Sequence, residues 1–257
     1  MSNALTVKSG LILNVNTVKD KGLKPYFETH NLKMPVFKKA HVVVASVLEK
    51  MHELVVKEAL KHVKKNKSGL KTVNRPVLRN AVLLHKELEQ YFHMRLRTFN
   101  PDQMYDQQLP VSEKELKALL TKQFGKTAHF TVKANNLLCY MLMTTFLDIV
   151  KYSNTLLEFS KKRTMGRSCV LHSLKLMLGD TSVYNKISEE VNRAWNAVLD
   201  DEDEDGVEGE EGEEDEADED AGDVVESDVE ADSDNEHHEA KNTKETKETK
   251  ETKKVKK

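Results

Sequence analysis

After each of its two long apolar helical stretches this 257-residue chain sets a cation, a threonine and an apolar residue in a row, Lys71-Thr72-Val73 and Arg163-Thr164-Met165. Each closes a short basic stretch, KKNKSGLKTVN in the first case and SKKRTM in the second. A loop cation beside a hydroxyl and free backbone amides suits a phosphate, because charge supplies attraction and the donors supply hydrogen bonds. The candidate anion-binding residues around the first stretch are Lys38, Lys39, Lys65, Lys67, Lys71, Thr72 and Arg75. Around the second they are Lys126, Lys133, Lys161, Lys162, Arg163, Thr164 and Arg167. Any one of these lysines, taken singly, reads as a solvated loop end. Their clustering beside both threonine pairs makes them candidates as a group.

Other chemistry finds little footing. Gly125-Lys126-Thr127 has the end of a phosphate-loop motif, but that motif needs a glycine where Leu120 stands, and no strand precedes it. His237 and His238 lie among carboxylates and read as incidental, and the remaining histidines are scattered without metal spacing. Cys139 and Cys169 fall in apolar helical stretches, match no metal pattern and read as buried thiols. Neither a catalytic constellation nor a cofactor or metal is expected.

Charge is segregated along the chain. Residues 1–199 carry 32 Lys/Arg against 16 Asp/Glu, a net of +16, whereas residues 200–240 carry 24 acids and no Lys/Arg. A basic body predicts a polyanionic partner, and an acidic run of this length predicts a solvated, disordered tail. Three readings fit the tail: solubilisation, competition with a nucleic acid for the basic loops, or capture of basic proteins through residues 200–240. Ser227 and Ser233 each have a glutamate three residues on, Glu230 and Glu236, which suits an acidophilic kinase. Residues 241–257 are a Lys-Glu-Thr repeat with a basic tip, read as a solvated end or a localisation tag. No run reaches 18 uninterrupted apolar residues, so no membrane span is expected.

The elements that must position the candidates are helices, arranged twice in the same order. A long helix is predicted from about Lys38 to Lys64, with Val44, Val47, Leu48, Met51, Leu54, Val55 and Ala59 at three/four spacing. Glu49, His52, Glu53 and Lys57 lie opposite and predict one wet face. Asn74 is placed to cap a following helix, with Pro76 tolerated in its first turn. Residues 1–22 read as an arm, 23–92 as the first unit and 93–111 as a connector without apolar period. The second unit, 112–199, opens on Ser112 with Glu115 three residues later, a capping box. Its long helix, about Ala134 to Phe159, is apolar on nearly every side and predicts burial among several neighbours. A last helix, roughly Val183 to Val198, is expected to cover that second unit. Short extended pieces are predicted at 70–73, 130–132 and 164–165. The fold class is all-α.

Short helix, loop, long central helix, loop, short helix resembles the histone fold. Nucleosomal and archaeal histones carry a Lys/Arg–Thr pair in the second loop, then an apolar residue and a helix with small and apolar residues. Lys71-Thr72-Val73 with Asn80-Ala81-Val82, and Arg163-Thr164-Met165 with His172-Ser173-Leu174, are similar to that pattern. The resemblance covers roughly residues 24–90 and 112–178, in a layout similar to the fused histone doublets of large DNA viruses. One feature departs: the acidic residue that clamps the loop arginine in such folds is replaced by Val77 and Cys169. The resemblance implies two tandem units forming a pseudo-dimer that binds and compacts double-stranded DNA without base recognition. It implies further contacts with other histone-fold proteins or with copies of itself, in chromatin of the nucleus, or in a virion or viral factory. The competing expectation is a histone chaperone or transcription-cofactor-like adaptor that holds basic proteins through the acidic tail.

Overall fold

The computed structural model describes residues 4–65, 72–105, 109–125 and 129–199. Lys67, Lys71, Lys126, Ser227 and Ser233 lie outside the described residues, as do the acidic tail and the Lys-Glu-Thr end.

Periodicity and capping account for the main helices. The first long helix is α4 (Ala40–Lys65), following α1 (Ala4–Lys8), α2 (Val15–Thr17) and α3 (Lys24–Thr29). After it come α5 (Arg75–Leu84), α6 (Lys86–Arg97) and α7 (Glu113–Phe124). The second long helix, α8 (Val132–Phe159), is followed by α9 (Arg167–Leu178) and α10 (Ser182–Leu199). The Asn74 side chain accepts from Val77 N at 3.0 Å and so starts α5 with Pro76 in its first turn. Ser112 and Glu115 form the reciprocal box that starts α7. Gly125 ends α7 at φ 72°, a left-handed conformation that costs glycine nothing.

Among the described residues, four two-residue strands tie the two halves of the chain together by crossing. β1 (Val36–Phe37) precedes α4, β2 (Thr72–Val73) follows it, β3 (His129–Phe130) precedes α8 and β4 (Thr164–Met165) follows it. β1 pairs in parallel with β4, setting Val36 opposite Thr164 and Phe37 opposite Met165. β2 pairs in parallel with β3, setting Thr72 opposite His129 and Val73 opposite Phe130. The loop before one long helix therefore always meets the loop after the other. α4 packs on α8 between these two ends, and one continuous core takes side chains from both.

Four expectations from sequence change here. The segment read as an N-terminal arm is built into the core: Leu11, Leu13, Val15, Val18 and Leu23 are buried. Gly22 shows how closely it packs, since a Cβ there would lie 2.6 Å from Pro110 Cβ and 2.9 Å from Phe146 Cζ. The predicted wet face of α4 is covered at two of its four residues, Glu49 and His52, whereas Lys57 is exposed and Glu53 half-buried. Glu49 is 8% exposed and His52 1%. The Glu49 carboxylate accepts from the amides of Ile12 and Leu13, and His52 Nδ1 lies 3.0 Å from Gln123 Oε1 of α7.

The connector is also shorter than expected. α5 stops at Leu84, His85 caps a new helix by accepting from Leu88 N, and α6 continues to Arg97. Asp148 of α8 then accepts from Tyr91 Oη at 2.9 Å and from Arg95 Nε at 2.8 Å, fastening α6 to the second long helix. Beyond α6, Asn136 donates to Gln103 O at 2.7 Å and accepts from Tyr105 N at 2.9 Å, so the connector is anchored too. Lastly, α10 packs chiefly against α4 and less against α9, so it covers the first long helix more than the helices that precede it in the 112–199 segment. Glu87 of α6 caps it, accepting from Ser182 N, Ser182 Oγ and Val183 N at 2.7–3.1 Å.

Candidate nucleic-acid interface

The crossed strands bring the candidate cations together at two ends of the long-helix pair. At the β1/β4 end, Val36 N donates to Arg163 O at 2.8 Å and Lys38 N to Met165 O at 3.1 Å. This backbone pairing sets Lys38 beside the Lys161-Lys162-Arg163 turn, although the two lie more than a hundred residues apart in sequence. Lys38, Lys161, Lys162, Arg163 and Thr164 are all exposed. Lys161, Lys162 and Arg163 line a recess of about 310 Å³ with Lys33, with Glu158 the acid in its wall.

Backbone conformation sharpens the picture at this end. Lys39 and Lys161 have φ of 51° and 54°, in the left-handed region that non-glycine residues enter at a cost of roughly 1–2 kcal/mol. Lys161 follows the last turn of α8, the position where glycine is the usual helix-ending residue. Both left-handed lysines flank the same strand pair.

At the β2/β3 end, Thr131 N donates to Val73 O at 3.0 Å, and the Thr131 side chain caps α8 by accepting from Ala134 N at 3.2 Å. Arg75 and Lys133, in the first turns of α5 and α8, line one cavity of about 420 Å³ with Asn74 and Thr131. Lys133 is exposed, while Arg75 and Thr72 are half-buried. The first turns of two long or medium helices thus meet at one place, where helix dipoles favour an anion.

Not every candidate joins these clusters. Arg167 donates from Nε and Nη2 to Asn192 Oδ1 at 3.1 and 2.6 Å, and Lys39 Nζ lies 3.5 Å from Val198 O. Both basic side chains are therefore engaged with α10. Lys65 ends α4. Val77 and Cys169 are both engaged locally: Val77 N donates to the Asn74 side chain, and Cys169 Sγ donates to Ser153 O at 3.6 Å. Burial pushes the Cys169 thiol above its ordinary range.

Sequence reading missed Lys33, Arg79 and Arg97. Arg79 stands one helical turn after Arg75, a spacing that places both on one side of α5. Arg97 ends α6, where a cation is favourable for the helix dipole and so attracts no notice. Among the described residues, no group of three or more His, Cys, Asp or Glu could hold a metal ion, and no helix is long and apolar enough to cross a membrane. Neither a protein-family model nor a curated protein matches the chain.

Proposed function

We propose that the chain is a histone-like protein that binds and compacts double-stranded DNA without sequence recognition. In this reading the two repeats are a fused pair of histone-fold-like units, and the basic loops are their DNA contacts. The observation that carries it is the crossed strand pairing, which gathers Lys38, Lys161, Lys162 and Arg163 at one end and Arg75 with Lys133 at the other. Two separated cationic points on one rigid body suit a polymer whose charge recurs along its length. A small anion would need only one of them. The left-handed Lys161 supports the same reading, because a lysine stands where glycine would relax the backbone.

Binding of this kind depends on counterion release, so affinity falls with salt by a log–log slope of about −0.9 for each phosphate neutralised. The proposed partners are duplex DNA and other histone-fold proteins or further copies of this chain. Catalysis forms no part of the proposal. The acidic tail would weaken and tune binding by competing for the loop cations, and the proposed setting is chromatin or a packaged viral genome.

The test is equilibrium binding of the full chain to two unrelated duplexes across a salt series. Both duplexes should bind alike, and Lys162→Glu with Arg163→Glu should weaken binding and flatten the slope by about 2. Absence of binding by the unmodified chain at low salt would defeat the DNA reading. Capture of basic proteins through residues 200–240 would then take its place.

A further inference from the structure

We infer that Arg75, Arg79 and Arg97 form a third phosphate-holding point, which leads a bound duplex from the β2/β3 end along the junction of α5, α6 and the connector. This rests on the DNA-binding reading above and extends it to residues that the loop pairs do not include. The three arginines line one cavity of about 380 Å³, and among the described residues no carboxylate lines it with them. None of the three has a hydrogen-bond or ion-pair partner among the described residues, although Arg95, two residues before Arg97, is fully engaged with Asp148 and Tyr91.

Three unpaired guanidinium groups around one cavity repel one another, and a bound anion turns that repulsion into attraction. The other walls are apolar, with Leu96, Phe99 and Leu137 among them. Apolar walls lower the local dielectric and strengthen any ionic contact made there. Guanidinium forks match the paired oxygens of a phosphate, and three of them outnumber what a single exposed carboxylate can accept.

Continuity selects the phosphodiester chain as the occupant. Arg75 lines this cavity and also the one that holds Thr131 and Lys133, so a single strand of phosphates can pass from one to the other. An acidic peptide would satisfy the arginines but would leave that continuity without a purpose. The inference makes the DNA footprint unequal, since the β1/β4 end has no counterpart of this arginine group among the described residues.

The test uses the full chain with Arg79→Gln and Arg97→Gln together, both exposed positions outside the loop pairs. Duplex binding across a salt series would be compared with the unmodified chain and with Lys162→Gln, Arg163→Gln, with thermal melting as the check on folding. The expected result is a slope smaller by about 2 and an affinity lower by roughly tenfold at low salt. Arg79→Lys with Arg97→Lys should restore the slope but not the whole affinity, because charge returns without the fork. An unchanged slope in the glutamine variant, while the unmodified chain and the loop variant behave as DNA binders, would overturn the arginine site alone. So would loss of binding to a polyglutamate peptide with duplex binding intact. No duplex binding by the unmodified chain would remove the reading beneath it as well.

Discussion

The two long helices invert what their compositions suggest. α4 carries Glu49, His52, His41 and Ser46, yet all four are buried. α8 is apolar on nearly every side, yet leaves Leu147 37% exposed and Phe159 83% exposed. The cause is what each helix meets. α4 is covered by α5, α7, α8, α10 and the residues around Leu13, whose amides need an acceptor that Glu49 supplies. α9 covers one side of α8 as far as Ser153 and Leu157, but no described residue covers the side of Leu147 or the last residue, Phe159. Glu49, Ser46 and His52 have hydrogen-bond partners for their buried polar groups, whereas His41 Nδ1 has none among the described residues and burial lowers that histidine to about 4.

Substitutions can break this contrast or sharpen it. The largest effect is expected at Met51, fully buried on α4: Met51→Ala should destabilise by about 2–5 kcal/mol in denaturant unfolding. Glu49→Ala should follow at about 2–4 kcal/mol, since two amides lose their acceptor. Glu49→Gln keeps an acceptor oxygen and should cost clearly less. Burial, partly offset by the two amides, raises the Glu49 pKa, so its contribution is complete below about pH 4.5 and fades as pH rises through the folded value. The glutamine variant should therefore gain on the unmodified protein as pH increases.

Acid should expose the histidines of α4 next. Burial lowers His52 from 6.5 to about 4, so the unfolded chain binds the extra proton first as pH falls. Stability should drop between pH 6.5 and 4 by about 2–3 kcal/mol from this residue, and His52→Gln should flatten that limb of the profile. Gly22→Ala should cost about 1–3 kcal/mol through overpacking against Pro110 and Phe146. A melting temperature unchanged by Gly22→Ala would mean that Gly22 is not packed closely against Pro110 and Phe146. The smallest effect belongs to α8: Phe159→Ser should shift stability by no more than about 0.5 kcal/mol.

What could be read from sequence follows from how local each signal is. The three/four spacing of α4, the Asn74 cap and the Ser112–Glu115 box involve residues within one or two turns, and all three appear in the structure. The extended pieces at Thr72–Val73 and Thr164–Met165 were legible, whereas Thr131 and Val132 begin α8 and the strand at Val36–Phe37 carries no signal that sets it apart from a loop. Glu49 was assigned to solvent because nothing near it in sequence shows that Ile12 and Leu13 will reach it. The break at His85 was missed because no glycine or proline marks it. Arg79 and Arg97 were passed over for the same kind of reason: eighteen residues separate them, and only the turn from α5 to α6 makes them neighbours of one cavity.

The crossed strand pairing also fixes how the chain responds to dilution. Each strand pair takes one member from either side of the connector, so the two halves of the chain meet within one molecule. Their encounter is first order, governed by an effective concentration that the connector sets and that no change in protein level alters. Separate subunits of this geometry would come apart as they were diluted, whereas here the melting midpoint should be the same at nanomolar and micromolar protein. Equal supply of the two parts is likewise assured at synthesis.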